Sequence, residues 1–394
     1  MTGRMNRVMV SGVMWIGCVS VVVAADGKRL DPDNLLQFHG AGGAVQTVKT
    51  AADWAKRRAE IVEGMQSVMG RFPGSDRRGP VGMKVIEDVD AGSYRRRLIG
   101  YTVDKDMLTP AYLCIPKDVL AGRRKAAAVL CLHPTDNRVG HKVVMGLGGR
   151  AGRAYGKELA ERGYVTLSPA YPHLANYWPN LGGQGYVSGT MKAIWDNSRG
   201  LDLLASFDFV DSSRGFGAIG HSLGGHNAIY TAVFDKRITV VASSCGFDSY
   251  QDYYDGTERV WRFGAGWCQI RYMPRLSNYR GRLTEIPYDF QELLGALSPR
   301  PVFVNAPLRD GNFRYRSVDR CAKAAKPIYR LLGATGRLVI RHPDSDHNFP
   351  DAMREEAYCT IDGVLHSKQV DQRPTGKAEE SAGNEIARNL RDSH

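Results

Sequence analysis

The chain has 394 residues, 43% of them apolar and 24% charged, with a formal charge of +12. That length can bury a large core, and one α/β domain with an N-terminal extension fits it as well as two domains do. The basic excess comes without a groove-reading helix, a zinc finger or an aromatic RNA-binding strand pair, so no nucleic acid partner is expected.

Arg4 and Arg7 precede an uncharged stretch from Val8 to Val23, and Val23-Ala24-Ala25 supplies small residues ahead of Asp26. This is the layout of a secretory signal peptide, predicted over residues 1–25, and it points to a secreted or periplasmic protein. Ser11, Gly12, Gly17 and Ser20 dilute the stretch as a retained anchor, and no later segment is apolar over the length of a bilayer, so no stable membrane insertion is expected after cleavage. Loss of Arg4 and Arg7 takes the formal charge from +12 to +10. The remaining cysteines are Cys114, Cys131, Cys245, Cys268, Cys321 and Cys359, with no Cys-x-x-Cys pair. An even count in an exported chain permits disulfides, of which Cys245 with Cys268 is the easiest to draw, while Cys131 lies in an apolar run and reads as a buried thiol.

Residues 26–80 read as an N-terminal helical extension. Trp54, Ile61, Met65 and Val68 share one helical face between Thr50 and Met69, with Thr50 as cap and Asp53 completing the box. Three strand-like stretches follow, Lys84 to Val89, Arg95 to Val103 and Thr109 to Ile115, spaced as antiparallel hairpins. From Ala126 the rhythm changes to short apolar strands alternating with helices: strands Ala126 to Leu132, Tyr164 to Ser168, Gly215 to Ile219 and Ile238 to Ser243, with helices at Gly152 to Arg162, Gly189 to Phe207 and Leu223 to Phe234. The rhythm resumes with strands Pro301 to Ala306 and Arg337 to Arg341 and helices at Val318 to Leu332 and Pro350 to Leu365. Such alternation means parallel strands covered on both faces, a doubly wound sheet within a domain over 81–366. The segment 246–287 lacks a clean period and reads as a lid insertion, and the polar segment 367–394 reads as a disordered tail.

Gly220-His221-Ser222-Leu223-Gly224 falls between the Gly215–Ile219 strand and the next helix. A serine raised on a sharp strand-to-helix elbow needs small residues on both sides, because strand and helix approach closely there. Two later strands end in loops carrying the other groups of a triad: Asp310 in Pro307-Leu308-Arg309-Asp310-Gly311, and His347 before Asn348-Phe349-Pro350. His347 would take the Ser222 proton, and Asp310 would hold the imidazole in the right tautomer. Asp248, after the preceding strand, is the competing acid. For the oxyanion hole the amide of Leu223 pairs with one from His133-Pro134-Thr135-Asp136, and since Pro134 has no N–H, Thr135 is the expected donor. His133 reads as a member of that loop rather than a base. Tyr171, Trp178 and Trp195 follow the Tyr164–Ser168 strand and are candidate sugar-stacking residues, although filling an interface is an equal role for any one of them. Asp344, Asp346 and His347 have no complementary ligand cluster elsewhere, so neither metal nor cofactor is expected.

At these residues the chain resembles the α/β-hydrolase superfamily, and within it the dienelactone-hydrolase-like and acetyl-xylan-esterase-like secreted esterases. The resemblance runs from about Ala126 to Leu365 and rests on Gly-His-Ser-Leu-Gly-Gly at 220–225, on Leu297-Ser-Pro-Arg-Pro-Val302 leading to Asp310, and on His347-Asn-Phe-Pro350. It implies a mostly parallel eight-stranded sheet and ester hydrolysis through an acyl-serine intermediate, with deacylation of polysaccharide as one use. The nucleophile departs from dienelactone hydrolases, which use cysteine. Two other functions compete: a prolyl-peptidase-like serine peptidase, disfavoured because too few residues precede the sheet for a propeller, and a noncatalytic binding protein, disfavoured by the joint presence of all three loop residues.

Overall fold

The computed structural model describes residues 29–104 and 107–366, so the expected signal peptide 1–25 and tail 367–394 lie outside the described residues. The chain opens with a small antiparallel pair, β1 (Gln37–His39) and β2 (Val45–Thr47), and then α1 (Ala51–Met69). α1 begins where its sequence signal lies: Thr50 Oγ1 accepts the Asp53 amide at 3.1 Å, and the Asp53 carboxylate accepts the Thr50 amide at 3.1 Å. Its apolar face is not a separate body. Trp54, Ile61, Met65 and Val68 join one buried cluster with Ile99, Leu130 and Leu293. Arg29 donates to both oxygens of the fully buried Glu292 at 2.9 and 2.6 Å, and Arg57 reaches the same carboxylate at 2.5 Å.

The remaining elements are β3 (Met83–Asp90), β4 (Tyr94–Asp104), β5 (Met107–Pro116), the single turn α2 (Lys117–Leu120), β6 (Ala128–Leu132), α3 (Tyr155–Glu161), β7 (Val165–Pro169), α4 (Gly189–Ala205), β8 (Phe216–His221) and α5 (Leu223–Phe234). After them come β9 (Ile238–Ser244), α6 (Phe290–Leu297), β10 (Val302–Asn305), α7 (Tyr315–Leu331), β11 (Leu338–Arg341) and α8 (Asp351–Leu365). Strands β3 to β11 form one sheet in the order β11-β10-β9-β8-β6-β7-β5-β4-β3. It has nine strands, not the eight that the resemblance implied. The hairpins β3-β4-β5 supply its antiparallel end, and the charged outermost strand β3 is suited to an edge facing water.

From β6 onward the strands pair in parallel, and both faces are covered. Alternate residues serve different cores: Leu130, Ala218, Val241 and Val304 pack on the side of α1 and α4 to α7, whereas Val129, Ile219, Val240 and Phe303 pack on the side of α3 and α8. This two-sided burial explains why the parallel strands read as unbroken apolar runs. The register aligns their carboxyl ends. Leu132, Gly220, Ser243, Val304 and Ile340 are successive partners in one row across β6, β8, β9, β10 and β11. Loops leaving just past this row emerge at the same level, which gathers residues that are far apart in the chain.

Segment 246–287 folds as five short 3-10 turns, and Trp261, Cys268, Met273 and Leu276 in it are buried in the main core. The Cys245–Cys268 disulfide is not formed. Both thiols are free, Cys268 Sγ lying 3.4 Å from the Trp261 carbonyl and Cys245 Sγ 3.3 Å from that of Asn348. Cys131 is a buried free thiol. No helix among the described residues is long and apolar enough to cross a membrane.

Candidate active site

β8 runs straight into Ser222, whose backbone sits at φ 54°, ψ −123°, and α5 starts at the next residue. A non-glycine residue there stores about 1–3 kcal/mol of strain, which persists only where the surroundings enforce it. Close approach is the enforcing contact. A Cβ on Gly220 would stand 2.2 Å from the Gly224 carbonyl carbon, and one on Gly224 would stand 1.9 Å from the Leu132 carbonyl oxygen. The Gly-x-Ser-x-Gly spacing is therefore a packing requirement between β8, α5 and β6. The Ser222 amide donates to the Ser244 carbonyl at 2.7 Å, fastening the elbow to β9.

Ser222 opens onto a cavity of about 380 Å³. His347 lines the same cavity, and its Nδ1 lies 2.9 Å from both carboxylate oxygens of Asp310, whose side chain is almost fully buried. Asp310 has a second duty. Its Oδ1 also accepts the amides of Asn312 at 2.8 Å and Phe313 at 3.2 Å, so the tight turn and the histidine contact are made by one carboxylate. The competing acid, Asp248, is buried with Oδ1 unpartnered and Oδ2 accepting the Arg314 amide at 3.2 Å. Burial, with the charges of Asp252, Asp289 and Asp310 adding to it, pushes its carboxyl up to about 8, so it is neutral at pH 7.

The other histidines near the site are held neutral. Burial lowers His133 to about 4; its Nδ1 meets the Pro134 carbonyl at 2.8 Å and its Nε2 accepts the Tyr171 amide at 3.0 Å, which fixes the loop carrying Thr135. Burial likewise lowers His221, whose ring stands 4.9 Å from that of His347. Thr135 and Leu223 both line the cavity, and the Thr135 hydroxyl bonds the Tyr272 hydroxyl at 2.9 Å. Leu223 is the first residue of α5, so its amide has no helical acceptor.

The expected aromatic platform is elsewhere. Trp195 is fully buried with its Nε1 donating to the Val103 carbonyl, and Tyr171 is buried with its hydroxyl 3.0 Å from that of Thr190. Trp178 is exposed but outside the cavity, its ring 5.1 Å from His173. The cavity's aromatic side is built instead from Tyr253, Trp267 and Tyr272 of the 246–287 segment together with Phe313. That segment carried no periodic signal from which the facing side chains were readable.

Two further neighbours escaped the sequence reading. Arg153, buried and lining the cavity, donates to the Asn348 side chain at 2.7 Å and to the His347 carbonyl at 3.1 Å, and so anchors the segment that carries the base. Cys245, at φ 48° just past β9, places its sulfur with Asp310 and His347 so that ligand atoms of all three lie within 4.8 Å of one another. That trio has metal-ligand spacing, but Asp310 and His347 are engaged with each other. Burial, reinforced by the Asp310 charge, keeps the Cys245 thiol protonated, which opposes metal binding.

Known proteins resemble this chain in part. Residues 175–333 match the family model described as glucuronyl esterase, fungi. A Bacillus subtilis (strain 168) protein named as a hydrolase, YtaP, is 27% identical over 166 residues, which is 42% of this chain and 50% of that protein. The chain thus spans about half the length of the curated relative it matches. A glucuronoyl esterase from Solibacter usitatus superposes with a TM-score of 0.64 at 19% identity, covering 85% of this chain and 99% of the other. A Bacteroides fragilis NCTC 9343 protein named as an acetyl xylan esterase superposes at 0.53 with 15% identity, covering 74% and 76%. With the mostly parallel sheet, the serine elbow and these likenesses together, the chain has the α/β-hydrolase fold.

Proposed function

We propose that this protein is a serine carboxylic-ester hydrolase acting on ester groups of polysaccharide, with Ser222, His347 and Asp310 as its triad. The observation that carries this reading is one cavity holding a serine on a strained elbow and a histidine whose Nδ1 is engaged by a buried carboxylate. With Nδ1 committed to Asp310, Nε2 is the nitrogen left for Ser222. It takes the hydroxyl proton as Oγ attacks the ester carbonyl, and the oxyanion is met by the amides of Leu223 and Thr135. Collapse of the intermediate expels the alcohol, which receives the proton from His347, and water then releases the acid from the acyl-serine by the same steps in reverse. No cofactor or metal enters this scheme. Export through the N-terminal segment 1–25 would place the enzyme where polysaccharide is found.

The test is a substrate panel on purified protein: 4-nitrophenyl acetate, acetylated xylan, an alkyl ester of glucuronic acid, and an aminoacyl-proline amide. Ester turnover that disappears in Ser222→Ala, with no amide cleavage, is the expected result. Amide cleavage faster than every ester would assign a peptidase instead, and turnover surviving in Ser222→Ala would overturn the triad.

A further inference from the structure

The cavity wall beside His347 carries two guanidinium groups, Arg150 and Arg153. Among the described residues neither forms an ion pair with a carboxylate. Arg153 is only 4% exposed, yet its acceptors are all neutral: the carbonyls of Ala151, Gly152 and His347 and the side chain of Asn348. Arg150 makes no side-chain hydrogen bond or ion pair at all among those residues, and its charge is felt at both Arg153 and His221. A buried cation without a counter-charge is costly, so its retention beside a cavity points to an anion that arrives with the ligand. The other charged groups facing the cavity do not cancel the pair. Asp136 is held by the amides of Arg138 and Val139, at 2.8 and 2.6 Å, and Asp310 lies behind His347 and is engaged with it. Trp267 and Phe313, which also line the cavity, stack at 15° with centroids 6.2 Å apart and offer an apolar surface suited to a sugar ring.

From this juxtaposition we infer that the cavity takes esters whose acyl part bears a free carboxylate, separate from the carbonyl under attack, and that Arg150 with Arg153 forms the subsite for it. The planar guanidinium fork matches a carboxylate in two hydrogen bonds, which a lysine would not reproduce. This inference rests on the ester-hydrolase reading above and narrows its substrate to acidic esters.

The experiment compares 4-nitrophenyl hemiglutarate, which carries a carboxylate, with neutral 4-nitrophenyl butyrate. The parent should favour the hemiglutarate in kcat/KM, and that preference should shrink as sodium chloride rises from about 20 to about 500 mM, over which the screening length falls about fivefold. Arg150→Gln should cut the ratio of the two kcat/KM values about tenfold, acting through KM. Arg153→Gln also disturbs the His347 segment, so Arg150→Gln is the deciding variant. An unchanged ratio in Arg150→Gln, or a salt-independent preference in the parent, overturns the subsite. Glutarate titrated calorimetrically into Ser222→Ala, with and without Arg150→Gln, separates the two claims. Binding lost with Arg150 supports the subsite even if neither ester is turned over, whereas absence of binding in both proteins overturns it even if ester hydrolysis holds.

Discussion

Asp310 engages His347 Nδ1 with both of its carboxylate oxygens at 2.9 Å, while Asp248, the other acid close in the chain to a strand end, is spent on the amide of Arg314. The two carboxyls differ in partner: one meets a histidine, whereas the other accepts a backbone amide and is raised by its own burial to about 8.

Asp310→Asn should therefore lower kcat by about a thousandfold or more with little change in KM, because an amide cannot stabilise the imidazolium and favours the wrong tautomer. Asp248→Asn should leave kcat within a few-fold of the parent. Steady-state kinetics on one aryl ester checks both, and the reverse ranking would move the acid to the loop after β9.

Asp248 also fixes a pH dependence of stability. Its folded-state carboxyl is raised to about 8 from an ordinary value near 4, so the folded protein binds that proton more tightly than the unfolded chain. The stability it contributes is complete below about pH 4 and is lost progressively up to about pH 8. Asp248→Asn should accordingly flatten the fall in thermal midpoint between about pH 5 and 8, as read by calorimetry. A variant that declined as steeply as the parent would remove Asp248 as a source of that fall.

Gly224→Ala should damage the elbow itself, since its methyl would stand 1.9 Å from the Leu132 carbonyl oxygen and backbone at both ends resists the shift. The expected outcome is a drop of several kcal/mol in unfolding free energy, or failure to fold, measured by urea titration. A folded variant of parental stability and activity would show that β6 and α5 have room the structure does not show.

On the aromatic side, Trp267→Ala should raise KM for a sugar-bearing ester more than for 4-nitrophenyl acetate, because the small ester does not reach the ring. Trp178→Ala should change neither constant by more than about twofold, since that ring lies outside the cavity. The opposite pattern would return Trp178 to the binding surface.

Glu292 joins the region of α1 to the main body through Arg29 and Arg57. Glu292→Leu removes the ion-pair partner of Arg29 and leaves the buried Arg57 with Glu60 alone, and should cost about 3–5 kcal/mol in chemical denaturation. Removing the whole trio together by apolar residues should cost far less.

What the sequence determined by itself is local and periodic. The parallel strands and the helix α1 fell where the apolar runs and the Thr50 and Asp53 cap placed them, because burial on both sheet faces leaves an unbroken apolar signature and an N-cap needs only neighbouring residues, whereas β1, β2, α2 and α6 were not foreseen. The Ser222 elbow was legible for the same reason, as its glycines answer contacts within one strand-turn-helix unit and the strand next to it. Tertiary structure alone decided which acid meets His347, why the cavity's rings are Trp267 and Phe313 rather than Trp195 and Tyr171, and that Arg153 grips the segment bearing the base. Those outcomes depend on the shared register that brings the ends of β6, β8, β9, β10 and β11 to one row, and on how the aperiodic 246–287 segment packs above them. Side-chain direction across such distances is set by packing between segments that carry no local mark of one another.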